Sequence, residues 1–250
     1  MEIHSRTAGG GWRWIVAAFR IFRKSPLIWM ALAIIFVALQ LLSTRLPPFG
    51  ALLMSLLSPI FYAGFMAGAR EVEKGGELEL LHLFAGFKKN TAQLVSIGGI
   101  YLVSLIVIFG ITFALSGDAI ATKLAQFQEL ERQATPDPQV AMQLFVDLMR
   151  LGLPALLLAT PLFMAYWFAP ALVYFADQNA LQAMKLSFTA SLKNILPFLV
   201  YVLILGALAF IAMIPAFLGF LVLIPLVIIT LYTSYNDVFE GEIKPAVVNT

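Results

Sequence analysis

Side chains that commonly carry chemistry are scarce in this sequence. Its 250 residues include two histidines, His4 and His82, and no cysteine, which excludes disulfides, thiolate metal sites and a cysteine nucleophile. His4 lies in a polar leader and His82 in a short amphipathic stretch, and neither stands at metal-ligand spacing from carboxylates. Every Asp and Glu falls outside the long apolar segments, so no carboxylate is expected inside them to relay protons or hold a cation. The serines lack a His or Lys partner at membrane depth, which argues against an intramembrane serine hydrolase. Gly9-Gly10-Gly11 follows no strand and reads as a hinge ahead of a helix rather than a phosphate loop. No catalytic residue, metal ligand or cofactor site is expected, and the chain is not expected to be an enzyme.

Two other sets of residues have spacing that points to a role. Ser58-Pro59 and Thr160-Pro161 are hydroxyl–proline pairs, and Pro225 holds a comparable place in a later segment. A mid-helix proline removes a backbone donor and frees a carbonyl, and a neighbouring hydroxyl can bond backward along the helix. Ser58, Pro59, Thr160, Pro161 and Pro225 are therefore candidates to line a cavity between kinked helices; the plainer reading is that the kinks serve packing. The second set, Arg13, Arg20, Arg23, Lys24, Lys88, Lys89 and Lys193, lies on or beside short amphipathic stretches. Such stretches lie in the membrane interface with their cations near lipid phosphates, so these seven are candidates for headgroup contacts.

The elements that position both sets follow from composition. Hydrophobic residues make up 61% of the chain and charged residues 12%, against about 25% charged in a soluble domain. Mean hydropathy is +0.91. The net charge of +2 is too small to indicate a nucleic-acid partner. The chain reads as an all-α integral membrane protein, one polytopic domain over 1–250. Crossing a hydrocarbon core of about 30 Å takes roughly 20 helical residues. Uncharged intervals of 20, 24, 28 and 26 residues each fit one helix, and the last, of 43, fits two. The expected spans are 27–43, 49–69, 92–116, 151–176, 195–213 and 219–236. Twelve Lys and Arg, including Lys244, fall on one side of this arrangement and four on the other. By the positive-inside rule both termini are cytoplasmic in a bacterial inner membrane. The first apolar stretch ends without a small-residue cleavage site, so it is expected to be retained.

The six spans group into three similar units, 12–76, 77–180 and 181–250. Each opens with a short amphipathic stretch: Phe19 precedes Lys24-Ser25 by five residues, as Phe84 precedes Lys89-Asn90 and Phe188 precedes Lys193-Asn194. In the first copy Ile15, Phe19 and Phe22 share a face opposite Arg13, Arg20 and Lys24. Gly64 and Gly68 form a GxxxG close-packing face, and Tyr166-Trp167-Phe168 reads as core. The loop 117–150 reads as an outer helical hairpin broken at Thr135-Pro136-Asp137-Pro138.

Gly11-Trp12-Arg13-Trp14, followed by Phe19, Phe22, Pro26 and Trp29, resembles the opening of uncharacterised six-helix proteobacterial inner-membrane proteins. Ala183-Met184-Lys185-Leu186-Ser187 with Lys193-Asn194 resembles a motif of a broader group, which includes YciC-like proteins and the membrane domain of some glycerophosphodiester phosphodiesterases. The resemblance implies the six-helix fold; the phosphodiesterase catalytic residues have no counterparts here. The function expected is a non-catalytic module that organises membrane lipid or a membrane or periplasmic protein partner. The alternative is a carrier for an apolar or amphipathic small molecule through a cavity between proline-kinked helices 2, 4 and 6.

Overall fold

The computed structural model describes residues 1–133 and 137–241; Thr135-Pro136 and Lys244 lie outside them. Among the described residues the chain is helical, without strands, and six helices are long and apolar enough to cross a membrane. A short helix α1 (Gly10–Phe22) leads into the pair α2 (Pro26–Ser43) and α3 (Phe49–Glu73). A 3₁₀ helix (Leu80–Phe87) leads into α4 (Thr91–Ser116), α5 (Ala119–Glu131) and α6 (Pro138–Trp167), which continues past a break as α7 (Ala169–Ala176). Then α8 (Ala180–Lys193) leads into α9 (Ile195–Met213) and α10 (Phe220–Tyr235), closed by one π-helical turn (Asn236–Glu240).

The chain divides into two compact units, one made of Met1–Ile100 with the chain from Met164 on, the other Tyr101–Phe163. The second unit holds α5 and most of α6. Lys123 Nζ reaches Asp147 at 2.9 Å, and Gln143 donates to the same carboxylate at 2.9 Å, so α5 is tied to α6. Leu130, Leu144, Ala155 and Ala159 are buried in this unit.

The first unit contains the short leading elements and the ends of the spans beside them, which carry Lys24, Lys89 and Lys193 (the basic end). Each leading element is pinned locally. Lys24 Nζ donates to the Val72 carbonyl at 2.8 Å. Asn90, in the left-handed region at φ 54°, donates to the carbonyl of Val173 and to Asp177 at 2.9 and 2.7 Å. Asn194 accepts from the Arg6 amide at 2.8 Å and donates to the His4 carbonyl at 3.2 Å. The His4 amide in turn donates to Val238 at 2.9 Å. The turn before each first span is thus held to the end of the following second span, directly in two cases and through the leader in the third.

The structure revises two expectations. Gly10 and Gly11 are helical and buried rather than a hinge; a Cβ at Gly11 would overlap the backbone of Pro197 and Tyr201. The carboxylates also do not all stay outside the apolar helices. α3 runs on to Glu73 and the last span to Glu240, so Asp237 rides on a helix end at 2% exposure. Pairing explains the extension, because a charge with partners no longer has to end the helix.

Candidate functional site

Asp237 organises the basic end. The π-helical turn inserts an extra residue per turn and presents this carboxylate to α1 and the leader. Arg6 Nε lies 3.0 Å from Asp237 Oδ1, and the same guanidinium donates to the Asp237 carbonyl at 3.1 and 2.5 Å. Trp14 Nε1 donates to Oδ2 at 2.8 Å, Arg13 stands 4.0 Å away, and Thr233 caps the Trp14 carbonyl at 3.0 Å. Aromatic rings close the surroundings: Trp14 meets Phe198 edge-on at 5.1 Å, and Trp167 meets Phe198 and Tyr201 at 5.3 and 5.6 Å. Tyr166-Trp167-Phe168 therefore sits at the basic end, and Phe168 is fully buried. A second cluster joins α3 to the last span. Glu73 accepts from Tyr232 at 2.5 Å and from Asn236 at 3.1 Å. Arg70 pairs with Glu240 while its guanidinium lies 3.8 Å over the Phe175 ring. The charges named here are paired or hydrogen-bonded, while Asn236 Oδ1 is buried without a hydrogen-bond partner among the described residues.

The motif around Ser187 has a defined task. α6 breaks at Phe168, whose amide bonds to Ser187 Oγ at 2.9 Å instead of to the Met164 carbonyl four residues back. Ser187 donates to that carbonyl at 2.7 Å, and Ser191 adds a second bond at 3.1 Å. A side chain inserted into the helical ladder bends the helix, and the hydroxyl keeps both backbone groups satisfied. Lys89 and Asn90 hold Asp177 just past the end of α7. Hydrogen bonds, first from Lys89 and then from Asn90, hold the Asp177 carboxyl below the usual carboxylate range.

The five cavity candidates have unlike surroundings. Pro59 and Pro225 are buried, Ser58 is half-buried, and Thr160 and Pro161 are exposed. Ser58 donates to Met54 at 2.6 Å and Thr160 to Leu156 at 2.9 Å, so each hydroxyl bonds one residue before the carbonyl that its proline frees. The carbonyl freed by Pro59, that of Ser55, faces Gly98, where a Cβ would crowd it; this kink is packed against α4. Gly64 lies under the carbonyls of His82 and Leu83, and Gly68 against Leu78 and His82. The GxxxG face therefore receives the 3₁₀ helix, with His82 serving in that helix's capping box with Glu79.

The seven basic candidates divide in two. Lys24 and Lys89 are committed to Val72 and Asp177, and Arg13 leans toward Asp237. Arg20, Arg23, Lys88 and Lys193 are exposed and have no carboxylate within 4.0 Å among the described residues. α1 turns Trp14, Ala18 and Ile21 into the protein beside Ile15 and Phe22, leaving Phe19 48% exposed. Ile15 and Phe22 of the apolar face are thus buried in the protein together with Trp14, which bonds to Asp237, while Phe19 stays open. On the open side α1 walls an apolar groove of about 740 Å³ with α9 and α10, lined among others by Trp12, Val16, Phe19, Leu208, Ile211 and Leu223. Among the described residues no group of three or more His, Asp or Glu could hold a metal ion.

No family model matches the chain, and no solved structure matches it. The sequence is similar to a protein of Burkholderia thailandensis named as a probable inner membrane protein, 27% identical over 215 residues, covering 84% of this chain and 77% of the relative. Six long apolar helices make the chain an integral membrane protein, and the relative's name agrees with an inner, plasma-membrane setting.

Proposed function

We propose that this protein is a non-catalytic module of the bacterial inner membrane that organises lipid, with both termini cytoplasmic and its three leading elements in the inner interface. One observation carries the reading: each leading element sets unpaired cations beside exposed apolar side chains. α1 has Arg20 and Arg23 with Trp12 and Phe19, the 3₁₀ helix has Lys88 next to Phe84 and Phe87, and α8 has Lys193 with Phe188 and Leu192. An apolar face backed by Lys and Arg is what an anionic interface binds. The order of leading element, first span and second span supports three copies of one unit. The carrier reading has less support, because the hydroxyls beside Pro59 and Pro161 already bond within their own helices.

The test is lipid analysis of the protein purified in mild detergent. Anionic phospholipid should be enriched several-fold over its bulk share, and the combined variant R20Q/R23Q/K88Q/K193Q should return it to the bulk ratio. Retention in bulk proportion by the unaltered protein would overturn the proposal.

A further inference from the structure

We infer that the groove between α1, α9 and α10 holds one acyl chain of an anionic phospholipid, with Arg20 and Arg23 gripping its phosphate. The inference rests on the lipid reading above and adds a site to it. Trp12, Val16, Phe19 and Arg23 follow one another at helical i+4, i+3 and i+4 spacing, so they form a single stripe along α1. The first three line the groove, and Arg23 ends the stripe one turn beyond Phe19. Arg20 stands one turn beyond Val16, on the same side. The occupant indicated is apolar along most of its length and anionic at one end.

The groove wall supports that occupant over others. At about 740 Å³ it has the capacity of a small-molecule pocket, yet its lining consists of aliphatic and aromatic side chains with little to orient a polar ligand. Docking of a partner helix uses small residues that let backbones approach. Here Leu208, Ile211, Val222, Leu223 and Leu226 are bulky, and Gly219 is already closed by Ala212. Arg20 and Arg23 have no carboxylate partner among the described residues, which leaves them available to an anionic headgroup.

The experiment is native mass spectrometry of the full chain after exchange into detergent with equal amounts of phosphatidylglycerol and phosphatidylcholine of the same chain length. One phosphatidylglycerol should persist under activation that strips other lipids. V16W/L208W, which fills the groove, should lower that adduct at least tenfold, while V202W, exposed elsewhere on α9, should leave it unchanged. R20Q/R23Q, altered only on the surface, should keep a lipid but lose the preference between headgroups. Glycerol phosphate alone should not compete, which separates a held chain from simple phosphate binding. No persistent adduct, an adduct untouched by V16W/L208W, or an unchanged preference in R20Q/R23Q would overturn the inference. Loss of this adduct with general anionic enrichment intact sinks the groove alone; its persistence without such enrichment sinks the broader reading alone.

Discussion

α9 and α10 are the two arms of one hairpin, and they live in different surroundings. α9 has the higher mean hydropathy, 2.7, yet only 17% of it is buried in the protein; the span Phe220–Glu240 has 1.5 and is 72% buried. The first hairpin repeats the contrast, with α2 at 2.2 and 22% against α3 at 1.7 and 50%. In water the most apolar helix would be the innermost. In hydrocarbon lipid tails are as apolar as leucine, so burial is decided by packing and by polar groups that need partners. Thr230, Thr233, Ser234, Asn236 and Asp237 are all buried on the last span. Tyr201, Trp14, Trp167, Glu73 and Arg6 answer them. α9 brings Tyr201 to this set and exposes a surface of Leu, Val, Ile, Phe and Met.

The contrast can be broken most severely at Asp237. Asp237→Leu strands Arg6 and the Trp14 indole, and removing one partner of a buried pair costs about 3 kcal/mol. A lower unfolding midpoint in detergent should show it, whereas Leu203→Ala on the lipid side of α9 should leave the midpoint nearly in place. Next comes a pair of glycines. Gly11→Leu forces α1 off Pro197 and Tyr201 and should cost about 2 kcal/mol, while Gly206→Leu on α9 meets open space and should be close to neutral by the same unfolding assay. A smaller effect is expected from Thr233→Val, which removes the bond to Trp14. Interhelical bonds of this kind average about 0.6 kcal/mol in membrane proteins, a loss that a double-mutant cycle with its neighbours can resolve.

Smallest is the pH response of the Lys89–Asp177 contact. The Asp177 carboxyl titrates below its unfolded value, so the contact adds stability above about pH 4. That stability fades as pH falls through the lower folded value. Asp177→Asn should flatten this acid limb by a small amount, read from unfolding midpoints between neutral and acidic pH, and should not alter the neutral plateau beyond the loss of the ion pair.

The spans were legible because charged residues bound each apolar interval, and hydrocarbon permits few charges to intrude. The same marker hid the buried carboxylate. Asp237 looks like a flank until Arg6, 231 residues earlier, is seen to pair with it, and no local pattern encodes a partner so distant. The periodicity of α1 gathers Ile15, Phe19 and Phe22 on one side but does not single out Trp14, whose burial goes with the indole's bond to Asp237. Ser187 was noticeable as part of a short motif, but its role depends on Phe168, which reaches it through the fold. Pro59 was visible as a kink; that Gly98 receives the freed carbonyl required the packing of α3 on α4.

In a bilayer, lipid should bathe α9 while protein surrounds the last span. Because the chain has no cysteine, single substitutions give unambiguous probes. Spin labels at Leu203→Cys on α9 and Ile229→Cys on α10 should be compared in bilayers by their collision rates with oxygen and with a water-soluble nickel chelate. The label at 203 should collide frequently with oxygen and rarely with nickel, and the label at 229 rarely with both. Equal oxygen collisions at the two positions, or a higher rate at 229, would contradict the account.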